Sequence, residues 1–356
     1  MEGISYMLNI GIIGAGHISE YHIKAYKEIS SCEVIAISDI NEELARERAT
    51  TYKIPDVYVD YKKLLADKKI DAVVILTPTF THKDIVIDAL NSGKHVLCEK
   101  PPALNAEEVQ ACEDAALKAG KLLMYGLVCR FRASQQHMKM LVESGKFGKI
   151  INAEASRVTL FGPSQGWLSN REKGGGVLRD ECIHELDSAL WVMGYPKPKT
   201  VIATESFANS DNAVNFSRGG WKTFHKIECE RDVESFIDGY VVLDNGAGMH
   251  IKAACIMNAP VTGATVEVIG EKMGARTVPA DDGSIGLKLV ELKDEVFTES
   301  TPELVQNNEF AEMIKHFIDC ITNGVPCIYT PGEAVTLLQI IDAMYESART
   351  GNPVFF

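Results

Sequence analysis

A carboxylate and an imidazole stand four residues apart in the middle of the chain, in the stretch GGGVLRDECIHELD at 174–187. If the segment from Asp180 is helical, then Asp180, His184 and Asp187 project from one face of the helix. A carboxylate beside an imidazole fixes the tautomer of the ring and raises its basicity, as a general base requires. The same spacing is also typical of a structural hydrogen bond, so these residues alone leave both interpretations open.

A metal site in this stretch is a weaker interpretation. Asp180, Cys182, His184 and Asp187 could supply ligands, but Cys182 points away from the shared helical face. No HExxH pattern accompanies them, and the nine cysteines of the chain form no CxxC pair and no zinc-finger spacing. We therefore expect no metal.

A glycine pair near the N-terminus predicts a dinucleotide site. Gly14 and Gly16 follow the apolar run 8–13 and open a helical pattern. Gly14 permits a tight turn, and Gly16 lets the backbone approach a pyrophosphate resting on the helix N-terminus. Ser19 takes the third position of the G-x-G-x-x-G pattern, where Gly or Ala is usual. Asp39 ends the next predicted strand, near the spacing expected for the acid that binds the ribose 2′-hydroxyl, and its charge favours NAD over NADP.

Two further polar clusters follow later predicted strands, TPTFTH at 77–82 and EKPP at 99–102. In an open α/β sheet, ligands bind in the crevice outside the carboxyl ends of the strands. Lys100 is therefore in a position to reach a ligand. Spacing alone supports an exposed loop lysine equally well.

A parallel sheet must carry these residues, and the first part of the chain predicts one. Strands and helices alternate there, which is typical of parallel βαβ units. The predicted strands lie at 8–13, 33–38, 72–77, 95–98 and 122–125, and the helices at 17–30, 41–52, 82–92 and 105–119.

After Arg130 the pattern changes to consecutive strands joined by turns, which predicts a mainly antiparallel sheet with helices on one face. We therefore expect domains at 7–130 and 131–356, with the last helices able to pack back on the first domain. The predicted strands lie at 150–160, 201–207, 233–243, 248–256, 265–269 and 287–297, and the helices at 133–144, 306–322 and 332–349.

Composition excludes several classes of protein. Lys and Arg number 36 and Asp and Glu 49, so the net charge of −13 repels nucleic-acid phosphate and anionic lipid. The N-terminus has no Lys or Arg before Lys24 and so lacks the basic flank of a signal peptide. No stretch approaches roughly 18 uninterrupted apolar residues. With free cysteines in apolar runs, these features predict a cytoplasmic protein with no nucleic-acid or membrane partner.

Together these segments resemble the glucose-fructose oxidoreductase / inositol dehydrogenase / rhizopine catabolism (Gfo/Idh/MocA) family, from about Leu8 to the C-terminus. The order and spacing of six short segments carry the resemblance: GIIGAGHIS at 11–19, TPTFTH at 77–82, CEKPPA at 98–103, GKFGKI at 145–150, GGGVLRDECIHELD at 174–187 and LDNGAG at 243–248. The resemblance implies an N-terminal Rossmann NAD-binding domain and a C-terminal domain with an open, mostly antiparallel sheet. That second domain would bind substrate and form a homodimer or homotetramer through its sheet.

The resemblance also implies residue roles. Lys100 would contact the reacting substrate oxygen, His184 would be the general base in oxidation, and Asp180 would orient His184. Arg130 and Trp167 are further candidates for substrate contact beside Asp180 and His184, and the polar stretch 209–232 adds Trp221 and His225. The cofactor would contact Gly14, Gly16, His17, Ile18, Asp39, Thr77, Pro78, His82, Glu99 and Lys100.

The implied activity is hydride transfer between NAD and a hydroxyl-bearing carbon of a sugar, inositol or related polyol. Two alternatives come from other classes. An NAD-assisted glycosidase of the same fold would show no net NADH production. A non-catalytic, dinucleotide-dependent regulator would have no need of both Lys100 and His184.

Overall fold

A computed structural model describes residues 7–160, 166–208, 231–280 and 283–356. The chain forms two compact units, residues 1–127 with 308–334, and residues 128–307 with 335–356. Trp221 and His225 lie outside the described residues, as does nearly all of the polar stretch around them.

The strands are β1 (Leu8–Ile13), β2 (Cys32–Ser38), β3 (Asp56–Tyr58), β4 (Ala72–Ile75), β5 (His95–Cys98), β6 (Leu123–Tyr125), β7 (Ile150–Val158), β8 (Pro198–Ser206), β9 (Phe236–Leu243), β10 (Gly248–Ala254), β11 (Gly263–Gly270), β12 (Met273–Pro279), β13 (Ile285–Lys293), β14 (Val296–Ser300) and β15 (Val354–Phe355). The helices are α1 (His17–Lys27), α2 (Glu42–Tyr52), α3 (Tyr61–Ala66), α4 (His82–Asn91), α5 (Ala106–Ala119), α6 (Ala133–Glu143), α7 (Ile183–Val192), α8 (Glu309–Thr322) and α9 (Glu333–Thr350). Within the described ranges, no helix combines the length and the apolar character that crossing a bilayer requires.

The first unit is built on a six-stranded parallel sheet in the order β3-β2-β1-β4-β5-β6. The strand order reverses between β1 and β4, where an open sheet leaves a crevice at the carboxyl ends of its strands. Side-chain caps begin the helices that follow. Asn41 accepts the N–H of Leu44 at the start of α2, and Asn105 accepts the N–H of Glu108 at the start of α5. The predicted parallel sheet is confirmed.

The second unit is built on a nine-stranded sheet in the order β14-β13-β12-β11-β7-β10-β9-β8-β15. Only β7 and β10 pair in parallel, so the predicted, mostly antiparallel sheet is confirmed. Along β9, Ile237 and Val241 are buried while Tyr240 and Val242 are exposed. This alternation buries one face of the sheet, against which α7 packs, and leaves the other face open.

One predicted strand of this sheet is wrong in its extent. The run predicted at 287–297 is two strands, because β13 ends at Lys293 and β14 begins at Val296. Between them Asp294 and Glu295 have φ values of 48° and 64°, which make a tight hairpin turn. Asp294 is a residue type that such turns favour, but Glu295 stands where Gly is usual, so the sequence carries only part of the signal for this turn.

Candidate active site

The glycine loop after β1 fits a dinucleotide. Gly14 has a φ of 103°, and a Cβ there would lie 2.7 Å from the carbonyl oxygen of Leu76, so only glycine is accommodated. At Gly16, a Cβ would meet no atom of the described residues within 4 Å. That open space lies at the N-terminus of α1, whose backbone N–H groups favour an anionic group such as a pyrophosphate. His17 is exposed there and Ile18 is half-buried.

Ser19 and Asp39 close this loop. The buried Ser19 donates its hydroxyl to the carbonyl oxygen of Gly16 at 2.7 Å, so its departure from the usual Gly or Ala is accommodated. Asp39 accepts the N–H of Ala15 on Oδ2 at 2.7 Å and the N–H of Asn41 on Oδ1 at 2.8 Å. Each carboxylate oxygen has a second lone pair. Asp39 thus shapes the loop while keeping acceptor capacity for a ribose hydroxyl.

Glu99, at the end of β5, is held by a histidine for which the sequence carries no signal. Its Oε1 lies 2.8 Å from Nε2 of His22, a fully buried residue of α1 that is 77 positions away. Its Oε2 accepts the N–H of Lys100 at 3.0 Å. Burial raises the pKa of Glu99, but the hydrogen bond and charge of His22, together with Lys100, outweigh burial and lower it. The backbone that carries Lys100 is therefore anchored to an ionised carboxylate.

His82 joins two strand ends. It is buried, with Nδ1 2.8 Å from the carbonyl oxygen of Pro101 and Nε2 2.7 Å from that of Thr77. Burial lowers the pKa of His82, and its contacts with the two carbonyl oxygens oppose this effect. Thr77 also accepts the hydroxyl of Thr81 at 2.7 Å, with the half-buried Pro78 beside it. A carbonyl oxygen can only accept, so a neutral ring donates to one of the two oxygens and a protonated ring to both. In either form His82 lies between the turns after β4 and β5.

In the second unit, Asp180 lies in a π-helical turn. The segment Val177–Cys182 is π-helical, and the α-helical geometry assumed from the sequence begins only at Ile183. π-Helical turns are rare and occur frequently at functional sites. Asp180 is buried, and the half-buried His184 stands in the first turn of α7. The sequence located these two side chains correctly on a helical segment but not the wider turn that separates them.

Glycine is required immediately before this turn. A Cβ on Gly175 would lie 2.2 Å from the carbonyl oxygen of Leu168. Gly176 has a φ of 119°, and a Cβ there would lie 2.8 Å from Oε2 of Glu234. The other oxygen of this buried carboxylate, Oε1, accepts the N–H of Leu178 at 3.0 Å. The triple-glycine sequence therefore lets the backbone pass between a loop and a buried carboxylate before it turns toward Asp180.

The third acid of the stretch, Asp187, is paired with Arg130. Both side chains have no exposed surface; Nη2 of Arg130 lies 2.6 Å from Oδ1 of Asp187 and Nε lies 2.9 Å from Oδ2. The hydroxyl of Tyr195 donates to the same carboxylate at 2.5 Å. Arg130 is therefore part of a buried ion pair with Asp187, and its contact with substrate stays a prediction. Trp167 is half-buried in the short turn at Gly166–Ser169.

Cys182 packs against the sheet of the second unit. It is fully buried, and its sulfur lies 3.6 Å from the carbonyl oxygen of Lys252 in β10. Burial raises the pKa of this thiol well above its usual value. With Asp187 already paired, two of the four residues considered as metal ligands in this stretch are committed to packing.

Glu185, the neighbour of His184, is a buried acid. Its Oε1 lies 3.3 Å from Nη1 of Arg157, whose Nη2 lies 3.1 Å from Glu181. Burial raises the pKa of Glu185 to about 7, although Arg157 opposes the shift. Because this pKa exceeds the value of about 4.3 expected in an unfolded chain, the folded state binds the proton more tightly. The free energy of unfolding therefore falls as pH rises from about 4 to about 7.

Replacing Glu185 by Gln should remove this pH dependence. Near pH 4 the carboxyl is largely protonated in the folded state, so Glu185→Gln and the wild type should unfold at nearly the same temperature. At about pH 8 the variant should be more stable by roughly 1–3 kcal/mol, as measured by calorimetry across the pH range. Glu181→Gln, which contacts the same arginine from a more exposed position, is the matched control and should lack this trend. Parallel curves for Glu185→Gln and the wild type would contradict the buried-acid interpretation.

Fold and site together define a class of protein. A parallel sheet with an open glycine loop and an acid after β2 is a dinucleotide-binding fold. The second unit adds an acid on a π-helical turn and a histidine on the helix that follows it. The chain belongs to the Gfo/Idh/MocA oxidoreductase family. The family's NAD-binding Rossmann fold matches residues 8–127, and its C-terminal alpha/beta domain matches residues 139–356. The family resemblance inferred from the sequence is confirmed.

The chain is similar to several other proteins, to some over nearly its whole length and to others over about half of it. The chain is 29% identical over 353 residues to D-glucoside 3-dehydrogenase of Escherichia coli (strain K12), covering 98% of this chain and 97% of that one. It is 34% identical over 187 residues to myo-inositol 2-dehydrogenase of Thermotoga maritima, covering 52% and 55% of the two chains. The solved structure of aldose-aldose oxidoreductase from Caulobacter crescentus superposes with a TM-score of 0.82 at 25% identity, covering 98% and 100%.

Proposed function

We propose that the chain oxidises a secondary ring hydroxyl of a sugar, glycoside or inositol, with NAD as the hydride acceptor. The observation that carries the proposal is the pair Asp180 and His184, set on a π-helical turn and the helix that follows it, in a chain that also has an open glycine loop. The likeness to D-glucoside 3-dehydrogenase, which spans nearly the whole of both chains, supports a ring hydroxyl as the reacting group.

In the proposed mechanism His184 accepts the hydroxyl proton on a ring nitrogen, and Asp180 orients the imidazole and raises its basicity. Lys100 donates a hydrogen bond to the reacting oxygen and stabilises the charge that develops there. When bound, NAD supplies the nicotinamide ring that takes the hydride. In the reverse direction His184 returns the proton to the oxygen of the carbonyl substrate.

The general base is tested by replacing His184 with Ala. Turnover should fall about 10²–10⁴-fold, which is the usual worth of general acid–base catalysis, while binding of NADH followed by its fluorescence should persist. NADH formation from a panel of glucosides, aldoses and inositols is the assay. His137→Ala, a half-buried histidine of α6, is the matched control and should retain full turnover. Unchanged turnover in His184→Ala would show that another group is the base. A wild type that releases sugar from glycosides without net NADH would favour the glycosidase alternative.

The preference for NAD over NADP is assigned to Asp39. Its carboxylate would accept a ribose hydroxyl and repel a 2′-phosphate, so the negative charge is what discriminates. Its contacts with the N–H groups of Ala15 and Asn41 hold the carboxylate at the edge of the glycine loop.

Asp39→Asn removes the negative charge but is expected to keep the shape of the loop, because the amide oxygen can still accept a hydrogen bond from one of the two N–H groups. The ratio of the dissociation constants for NADP and NAD should fall at least tenfold in this variant, as measured by calorimetric titration. Asp56→Asn at the start of β3 is the control for loss of an acid in the same sheet. An unchanged ratio, or a wild type that binds NADP more tightly, would contradict the assignment.

The open face of the nine-stranded sheet is proposed as the surface through which a homodimer or homotetramer forms. Ile202, Tyr240 and Val242 of neighbouring strands are each at least 41% exposed there. An exposed apolar patch rimmed by polar residues is typical of an interface between proteins.

Val242→Asp should shift the chain toward a single copy in sedimentation experiments, because it would place an unpaired charge in the interface. The wild type should sediment as two or four copies of the 39.1 kDa chain. Val261→Asp, at a 78% exposed position between β10 and β11, is the control and should leave the mass unchanged. A wild type that sediments as one copy would overturn the proposed interface.

A further inference from the structure

Three side chains that can bind metals come together in the first unit, in a cluster that the proposed reaction does not use. His316 and Cys320 stand one turn apart on α8, and Cys327 lies in the segment that follows the helix. One ligand atom from each residue lies within 4.8 Å of the other two, and Nε2 of His316 is 3.4 Å from the sulfur of Cys320. All three side chains are half-buried, so solvent ions can reach them.

The separation between His316 and Cys320 is that of two ligands in a tetrahedral thiolate–imidazole site. Zinc binds sulfur at about 2.3 Å and nitrogen at about 2.0–2.1 Å, so the sulfur and nitrogen atoms of one tetrahedron lie about 3.6 Å apart. The observed 3.4 Å between His316 and Cys320 is close to that edge. Soft thiolate ligands combined with an imidazole select Zn²⁺ and similar thiophilic cations over Mg²⁺ or Ca²⁺.

We propose that His316, Cys320 and Cys327 bind one thiophilic divalent cation, with Zn²⁺ as the physiological class of ion. The three side chains supply one nitrogen and two sulfur ligands, and the fourth tetrahedral position is left to water or an exogenous ligand. The expectation of no metal rested on the direction of Cys182 and on the absence of HExxH, CxxC and zinc-finger spacing. The pattern here is a histidine and a cysteine one helical turn apart with a second cysteine in the following loop, which such spacing rules do not include.

The hydrogen bonding of His316 is compatible with metal binding. Its Nε2 accepts the N–H of Ile328 at 2.9 Å, so this nitrogen carries a lone pair. A cation requires a neutral imidazole, whose lone pair it binds in place of a hydrogen-bond donor. Binding would exchange the hydrogen bond from Ile328 for a metal–nitrogen bond. Each of the two thiols would lose one proton, so a bound M²⁺ and two thiolates are formed with the release of two protons.

A cation here would fasten a segment that anchors α8 to the first unit. Downstream of Cys327, the hydroxyl of Tyr329 donates to the carbonyl oxygen of Leu127 at 2.7 Å. The N–H of Gly332 donates to Oε2 of Glu113 on α5, also at 2.7 Å. Joining Cys327 to α8 through a metal would close a short loop between the helix and these two contacts. An ion bound only to the folded state would therefore stabilise it.

Cobalt titration of the reduced, chelator-treated full-length protein tests the site. One equivalent of Co²⁺ should give a thiolate-to-cobalt charge-transfer band and the intense visible bands of tetrahedral cobalt, and Zn²⁺ should abolish both. Cys320→Ser and Cys327→Ser should each lose the charge-transfer intensity or weaken cobalt binding at least tenfold. Cys32→Ser is the matched control in the same unit, because its thiol already lies 3.6 Å from two carbonyl oxygens to which a hydroxyl can donate.

A second measurement needs no variant and keeps the proposal testable if the serine variants fail to fold. Zn²⁺ should protect Cys320 and Cys327 of the wild type from a maleimide reagent, as read by mass spectrometry of the peptides, without changing the labelling of Cys32. The absence of a charge-transfer band, a band that persists in both serine variants, or equal labelling with and without Zn²⁺ would overturn the proposal. None of these readouts depends on catalysis, so the site can fail while the proposed oxidoreductase activity stands, and the reverse.

Discussion

The carboxylate of Glu234 has no exposed surface, and the turn that carries the acid of the candidate site is built around it. Leu178 donates its N–H and Tyr345 its hydroxyl to this carboxylate, and Arg171 forms an ion pair with it at 3.3 Å. Burial raises the pKa of Glu234, and these partners oppose the shift. A buried carboxylate is costly without such partners. The backbone must therefore approach Glu234 closely, and only a glycine at 176 leaves room for that approach.

A comparable constraint organises the first unit. The carboxylate of Glu99 contacts both the buried ring of His22 and the backbone N–H of Lys100. His82 spans the carbonyl oxygens of Thr77 and Pro101, so the ends of two neighbouring strands are held by one imidazole. In both units, a side chain proposed to react or to bind a ligand stands beside a buried polar contact that fixes its backbone. Such contacts supply the rigid support that positioned catalytic groups need.

Local features of this structure could be predicted from the sequence, and contacts between distant residues could not. Strands β1 and β4 are buried on both faces and therefore appear as continuous apolar runs. One strand–turn–helix–strand unit contains Gly14, Gly16 and Asp39. Their spacing alone therefore predicts a dinucleotide site. The pairing of His22 with Glu99 joins residues 77 positions apart, and that of Arg130 with Asp187 joins residues 57 apart. No helical or strand period relates such positions.

The π-helical turn escaped prediction for a different reason. Its residues have the apolar and polar pattern of an ordinary helix, and the wider turn arises from the close approach of the preceding glycines to Glu234 and to a loop carbonyl. The turn thus depends on packing partners outside it: the carbonyl oxygen of Leu168, which precedes the turn, and Glu234, which lies 56 positions after Leu178. An i, i+4 rule applied to 180 and 184 assumes a constant helical period, and that period changes between them.

The charges around His184 are fewer than the sequence DECIHELD suggests. Three of its four acids are neutralised or partly protonated: Asp187 by the buried guanidinium of Arg130, Glu181 by Arg157, and Glu185 by burial, which raises its pKa to about 7. The arginines involved lie 24 to 57 positions from the acids they contact, so tertiary contacts, and not the local sequence, determine how many negative charges in this stretch are left uncompensated.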